Sequence, residues 1–219
     1  MHIKAIIFDC DGTLVDSEIL ANEVLVEYLA ELGFAWTVSE AVQAYTGVKM
    51  AECIMDLERR FNTPMPADFI AVFRQRMKLA FADRLRPMHG ARELLASLRL
   101  PVHIASSGPR EKIINSLRVT GLESYFTAHN AIFSAYEIGH WKPDPAFYRS
   151  VVKEIGIEIG EAIVVEDSEP GIRSAVGAGI ATIALGDRGD LAGDLSRAMP
   201  AANLAEVGVI LQKRLAPGA

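Results

Sequence analysis

Ile3-Lys4-Ala5-Ile6-Ile7-Phe8-Asp9-Cys10-Asp11-Gly12-Thr13-Leu14-Val15-Asp16-Ser17 begins as a short apolar run and ends in acid and glycine. Ile3 to Phe8 is partly β-branched and is closed by Asp9, Asp11 and Gly12, the pattern of a buried strand running into a turn. Short apolar runs of the same kind recur at Val102 to Ala105, Ala131 to Ser134, Ala162 to Val165 and Ile180 to Leu185. Helical patterns separate them. The clearest has Asp144 as N-cap, Pro145 at the first helical position, an apolar stripe of Phe147, Tyr148, Val151, Val152 and Ile155, and a stop at Gly156. Pro109 opens another, with Ile113, Ile114 and Leu117 facing inward. Strands alternating with helices predict an α/β fold: a doubly wound parallel sheet covered on both faces.

One region breaks the alternation. From Ser17 to Asp83 the chain carries helical periodicity and no convincing strand: Leu25, Tyr28, Leu29 and Leu32 form a stripe ended by Gly33, and further helices fit Met50 to Phe61 and Pro66 to Phe81. The expected organisation is therefore a core domain of residues 1–16 and 84–219 with an inserted helical cap of residues 17–83. Leaving after the first strand and returning before Pro87, that insertion is expected above the carboxyl ends of the strands, where open α/β sheets bind ligands.

Composition narrows the function classes. Half of the 219 residues are hydrophobic, enough for a substantial core, and 28 acidic against 22 basic residues give a net charge of -6. No lysine or arginine run is present to follow a phosphate backbone, so nucleic acid is not an expected partner. Cys10 and Cys53 have neither metal-ligand nor redox spacing, and the five histidines show no ligand pattern. The N-terminal apolar run is too short for a signal peptide or a membrane span, so no membrane partner and a cytoplasmic location are expected.

The chemistry lies at the strand ends. Asp9 and Asp11 follow the first strand, Ser106 and Ser107 follow Val102 to Ala105, Lys142 follows the Ile132-Phe133 strand and its loop, and Glu166-Asp167 follow Ile163 to Val165. A parallel sheet brings all of these to one rim. Crowded carboxylates repel one another, and a divalent cation that prefers hard oxygen donors relieves the repulsion; magnesium is the natural choice. A lysine and a serine hydroxyl on the same rim complement the remaining charge of a phosphoryl group. In that setting Asp9 is the expected nucleophile. Asp11, two positions on and on the same side of an extended segment, is placed to protonate a leaving alkoxide and later to accept a proton from water.

Asp9-Cys10-Asp11-Gly12-Thr13-Leu14-Val15-Asp16-Ser17 resembles the first motif of the haloacid dehalogenase superfamily. Ser106, Lys142 within Trp141-Lys142-Pro143-Asp144-Pro145, and Glu166-Asp167-Ser168 resemble its second, third and fourth motifs, in the same order. The resemblance covers essentially the whole chain, and the inserted region is similar to the cap of the small sugar-phosphate phosphatases and β-phosphoglucomutases. It implies Mg2+ as cofactor and Asp9 as nucleophile and metal ligand. It further implies Asp11 as acid/base and backbone-carbonyl metal ligand, Ser106, Ser107 and Lys142 as phosphate contacts, and Asp167 as metal ligand with Glu166 supporting it. The implied partner is a small phosphorylated metabolite; a monomer or weak homo-oligomer is expected, with the oligomeric state left open.

Narrower features favour a phosphatase over a phosphomutase. Ala21 stands where the mutases carry a histidine, and Met50 stands where their cap arginine falls. Gly47-Val48-Lys49-Met50 and the Trp141 to Pro145 segment are similar to those of bacterial phosphatases that accept 6-phosphogluconate and related sugar phosphates. Lys49 is then the residue to meet an anionic part of the substrate, with Glu18 at the cap entrance a second substrate-binding candidate. Bland readings stand beside these. Asp9 to Gly12 alone is an ordinary strand-end turn, Ser106 and Ser107 alone are helix caps, and Lys49 and Glu18 alone are solvated charges. Trp141 and Cys10 read as packing residues. A phosphomutase and a non-catalytic metabolite-binding regulator are the alternatives to a phosphatase, and dehalogenation is weaker still because it has no need of Asp11.

Overall fold

A computed structural model of the chain describes residues 2–45, 50–127, 131–186 and 193–215. It separates into two compact units, one of residues 1–15 with 87–219 and one of residues 16–86.

The first unit is built on six parallel strands: β1 (Ala5–Phe8), β2 (Val102–Ser106), β3 (Ile132–Ser134), β4 (Ala162–Glu166), β5 (Ala181–Leu185) and β6 (Met199–Ala201). They lie in the order β3-β2-β1-β4-β5-β6. All four residues of β1 and all five of β2 and of β4 are buried, as expected of strands covered on both faces. Register is continuous across the centre: Phe8 lies opposite Ile104 on one side and Val165 on the other. The first residue after β1 is thus level with the last residues of β2 and β4. The order reverses direction between β1 and β4, which makes that gap the switch point where ligands bind in such sheets.

Five strands begin and end within a residue or two of the sequence expectation, whereas β6 was not anticipated. It is three residues long and contains Pro200, which lacks the N–H of a ladder donor; such a strand is tolerated at a sheet edge, and β6 is an edge. The helix predicted from Asp144 to Gly156 is found as Pro145–Ile155. Asp144 accepts a hydrogen bond from the Ala146 N–H at 2.8 Å, and Gly156 closes the helix at φ 81°. Its stripe of Phe147, Tyr148, Val151 and Val152 packs with Ile7, Val164, Ala175 and Ile180 in one continuous core.

Among the described residues, the second unit has four helices: α1 (Ser17–Glu31), α2 (Val38–Tyr45), α3 (Met50–Phe61) and α4 (Phe69–Asp83). Leu25, Tyr28 and Leu29 are buried on α1 and Phe69 and Phe73 on α4, with the Tyr28 and Phe69 rings stacked 4.8 Å apart. The remaining helices of the first unit are α5 (Ala91–Ser97), α6 (Arg110–Val119), α7 (Ala135–Ile138), α8 (Pro145–Ile155), α9 (Glu169–Ala178) and α10 (Leu204–Leu215). No described helix is long and apolar enough to cross a membrane.

Candidate active site

Asp9 is the first residue beyond β1, and its N–H donates to the Val165 carbonyl at 3.0 Å, which extends the β1–β4 ladder to the base of the site. Its side chain is almost wholly buried. The Lys142 ammonium donates to Asp9 Oδ1, stands 2.5 Å from Glu166 Oε1 and donates to the Ala105 carbonyl at 3.0 Å. One cation thus ties together the ends of β1, β2 and β4. Burial opposes the charge on Lys142, but Asp9 and Glu166 outweigh it and hold its pKa above the usual lysine value, so the ammonium persists. Burial drives the Asp9 carboxyl well above the usual carboxylate range; Lys142 opposes this, while Glu166 and Asp167 reinforce it.

Glu166, the last residue of β4, is completely buried. Its Oε1 accepts from the Tyr148 hydroxyl at 2.8 Å, and its Oε2 accepts from the Ser168 hydroxyl at 3.0 Å. Burial, reinforced by Glu166, raises the Tyr148 phenol well above its ordinary value, which keeps the proton available for donation. Ser168 in turn caps α9 by accepting from the Gly171 N–H at 3.1 Å. The first turn of α9 passes so close that a Cβ on Gly171 would lie 2.0 Å from Glu166 Oε1. Glycine is required there by the approach of backbone to carboxylate.

Asp167 projects over the turn that follows β1. Its Oδ1 accepts from the Thr13 hydroxyl at 2.8 Å, and a Cβ on Gly12 would meet its Oδ2 at 2.3 Å. Gly12 also holds φ at 80°, a left-handed conformation that glycine adopts freely. The Gly12 turn is therefore cut away on the side where Asp167 reaches toward Asp9. No group of three or more His, Cys, Asp or Glu side chains arranged to hold a metal occurs among the described residues. The Asp9 and Asp167 carboxylates on adjacent strand ends are nevertheless hard oxygen donors of the kind a divalent cation prefers.

Asp11 Oδ2 accepts from Lys112 Nζ at 2.7 Å, while Oδ1 is buried and has no hydrogen-bond partner among the described residues. Ser106 ends β2 and is buried; its hydroxyl oxygen accepts from the Gly108 N–H at 3.1 Å. Ser134, at the end of β3, donates to the Gly108 carbonyl at 2.7 Å and holds that loop from the other side. Ser107 is exposed.

The fold thus brings Asp9, Lys142 and Glu166 into direct contact, ties Asp167 to the Asp9–Thr13 turn, and sets Ser106 and Asp11 on the same sheet edge. Glu18 lies half-buried on α1, where its carbonyl accepts from Asn22, and Lys49 lies outside the described residues. Trp141 departs from the packing reading: it is 46% exposed and meets the 64% exposed Tyr136 edge-on, with ring centroids 5.7 Å apart. Trp141 stands in the segment between α7 and α8, while Tyr136 is on α7. Cys10 is buried, and its thiol is pushed well up by burial, then by Asp11 and Asp9; it is not a thiolate nucleophile.

Tyr148, Lys112, Thr13 and Ser168 were not singled out in the sequence. Tyr148 reads there as one more apolar-stripe position, although a buried tyrosine hydroxyl requires a polar partner and so carries a signal of its own. Lys112 gives no local signal, because its partner stands 101 positions away.

Residues 6–185, from within β1 to the end of β5, match the haloacid dehalogenase-like hydrolase family. The 6-phosphogluconate phosphatase of Escherichia coli (strain K12) is 33% identical over 181 residues, which cover 82% of this chain and 80% of that protein. Among solved structures, a HAD family hydrolase from Deinococcus radiodurans R1 with bound phosphate and sodium is 30% identical, with a TM-score of 0.83 over 97% of this chain and 96% of that one. A putative β-phosphoglucomutase from Thermotoga maritima is 25% identical, with a TM-score of 0.79 over 96% of this chain and 99% of that one. By the family match over residues 6–185 and the 33% identical relative, the chain belongs to the haloacid dehalogenase-like hydrolases.

Proposed function

We propose that the chain is a magnesium-dependent phosphatase of small phosphate monoesters, sugar or sugar-acid phosphates such as 6-phosphogluconate, working through an aspartyl-phosphate on Asp9. The observation that carries this reading is the Lys142 ammonium held between the Asp9 and Glu166 carboxylates at the switch point of the sheet. A structural ion pair has no need of that location, whereas a nucleophile that must face an anionic phosphorus centre does. The 6-phosphogluconate phosphatase relative and the phosphate-bound structural neighbour support the same chemistry.

In the proposed reaction Asp9 attacks phosphorus in line and the bond from phosphorus to the ester oxygen breaks. Asp11 gives its proton to the departing alkoxide. Water then attacks the phosphorus of the aspartyl-phosphate, Asp11 takes a proton from it, and Asp9 is released with inorganic phosphate. Lys142, Ser106 and the Ser106–Gly108 loop hold the phosphoryl oxygens, with Ser107 beside them. Asp9, Asp167 and the Asp11 carbonyl would hold Mg2+, with Glu166 in support; when bound, the ion supplies positive charge opposite the phosphoryl oxygens. The helical unit is proposed as a cap that reads the rest of the substrate, the role attached to Glu18 and Lys49.

A phosphomutase is the second reading, favoured by the likeness to the putative β-phosphoglucomutase. Ala21 on α1 argues against it. A phosphate-release screen over sugar phosphates, sugar-acid phosphates and nucleotides, with and without magnesium, tests the main reading. Turnover should appear on a sugar or sugar-acid phosphate, vanish on chelation, and fall by about 10³-fold or more in Asp9→Asn with the melting transition intact. Substantial magnesium-dependent activity in Asp9→Asn would remove Asp9 from the nucleophile role. Accumulation of isomerised sugar phosphate from a hexose 1-phosphate and a trace of bisphosphate would select the mutase.

A further inference from the structure

The two oxygens of the Asp11 carboxyl have different surroundings. Oδ2 accepts from Lys112 Nζ at 2.7 Å, and Oδ1 is buried with no hydrogen-bond partner among the described residues. Lys112 sits in the first turn of α6, directly after the Ser106–Gly108 loop. That loop, the lysine stem and the carboxyl converge on one point. A Cβ placed on Gly108 would lie 3.5 Å from Ser106 Oγ, 3.7 Å from Lys112 Cδ and 4.0 Å from Asp11 Oδ2. Asp11 therefore lies against the loop proposed to hold the phosphoryl group, and α6 supplies a donor to one of its two oxygens.

From this geometry we infer that Lys112 is a positioning residue for Asp11: it anchors Oδ2 and leaves Oδ1 as the oxygen that exchanges the proton. The inference rests on the reading of Asp11 as the acid/base group of the proposed phosphatase. In the first half-reaction the proton on Oδ1 passes to the ester oxygen as its bond to phosphorus breaks. In the second, Oδ1 takes the proton of the water whose oxygen bonds to phosphorus. A carboxyl group is a two-fold rotor about its terminal torsion, so either oxygen can point at the leaving group unless one is tethered. Transfer needs the donor within hydrogen-bond reach and correctly aimed, and small misplacements of a catalytic group cost large factors in rate. Lys112 is 43% exposed on its side chain, so its replacement is compatible with folding.

The discriminating measurement is the dependence on leaving group. Departure of p-nitrophenolate needs little help from an acid, whereas departure of a sugar alkoxide needs a proton. In Lys112→Met, kcat/KM for a sugar phosphate that the protein turns over is expected to fall about 10-fold, a modest loss of acid–base efficiency. For p-nitrophenyl phosphate it should change less than about 2-fold, because that step makes little use of the acid. Lys112→Arg, which keeps a donor, should restore most of the sugar-phosphate rate. An equal fall on both substrates, a change confined to KM, or no change in Lys112→Met would overturn the inference, leaving Lys112 as a phosphate contact or a surface charge. Asp11→Asn, run in parallel, separates the two levels. If it loses the sugar-phosphate rate while Lys112→Met does not, only the Lys112 inference fails. If Asp11→Asn keeps that rate, the acid/base assignment itself fails and the inference with it.

Discussion

Ion pairs serve different ends in the two units. In the α/β unit, Lys142 is 5% exposed and faces Asp9 and Glu166, which are 9% and 0% exposed. In the helical unit, Arg76 meets Glu31 at 2.6 Å, and Arg84 meets Glu23 at 2.7 Å and Glu27 at 2.8 Å, all on surfaces open to water. These pairs are ordinary water-screened surface charge and tie α1 to α4 and its C-cap residue Arg84 with little net energy. The buried triad has lost its hydration, and hydrophobic residues of the same volume would serve stability as well or better. Its place at the switch point of the sheet is where the proposed chemistry needs it. The Tyr148 and Ser168 hydrogen bonds then satisfy the Glu166 oxygens that would otherwise be left bare.

The difference can be broken most forcefully at Lys142. Lys142→Met leaves two buried carboxylates without their cation, so unfolding free energy from urea titration should fall by about 3–5 kcal/mol, and phosphate release should fall at least about 10²-fold. A fully stable Lys142→Met protein would contradict the view that the triad is a costly, mutually dependent group. Gly171→Ala comes next. Its Cβ would fall 2.0 Å from Glu166 Oε1, so either α9 or the carboxylate must move, and a loss of about 1–3 kcal/mol is expected in the same titration. Activity should drop with it, because Glu166 shares Lys142 with Asp9; unaltered turnover would show that Glu166 plays no part in holding the lysine. The smallest effect belongs to the surface. Glu31→Ala, which unpairs Arg76 but leaves it over the Tyr28 ring, should leave the urea midpoint within the scatter of replicate measurements at 0.15 M salt, since Glu31 is exposed and the Debye length is about 8 Å. A clear drop there would mean that the exposed ladder carries real stability and would erase the contrast between the units.

Much of this was legible in the sequence. The run ending at Asp9, the capped helix after Asp144 and the apolar runs at Val102, Ala162 and Ile180 lie where a buried strand or amphipathic helix must leave its period on the chain. β6 was not legible, because three residues with a proline in the middle carry no period. α2 escaped for a similar reason: Val38–Tyr45 spans little more than two turns, too few to repeat a stripe convincingly. Trp141 reads as a packing residue from its type alone, while its exposure depends on where the segment between α7 and α8 runs relative to the core.

By itself the sequence determined five of the described strands, the longer helices with a clear apolar stripe, and the four acidic, hydroxyl and basic groups at strand ends, since local periodicity and capping are written in neighbouring residues. Only the tertiary structure decided that β1 lies between β2 and β4, that Lys142 reaches Asp9 across 133 positions, and that one Asp11 oxygen is anchored by Lys112 while the other is not. Those contacts depend on sheet order and on the direction each side chain leaves its element, which are settled by packing distant segments against one another and not by any stretch of sequence alone.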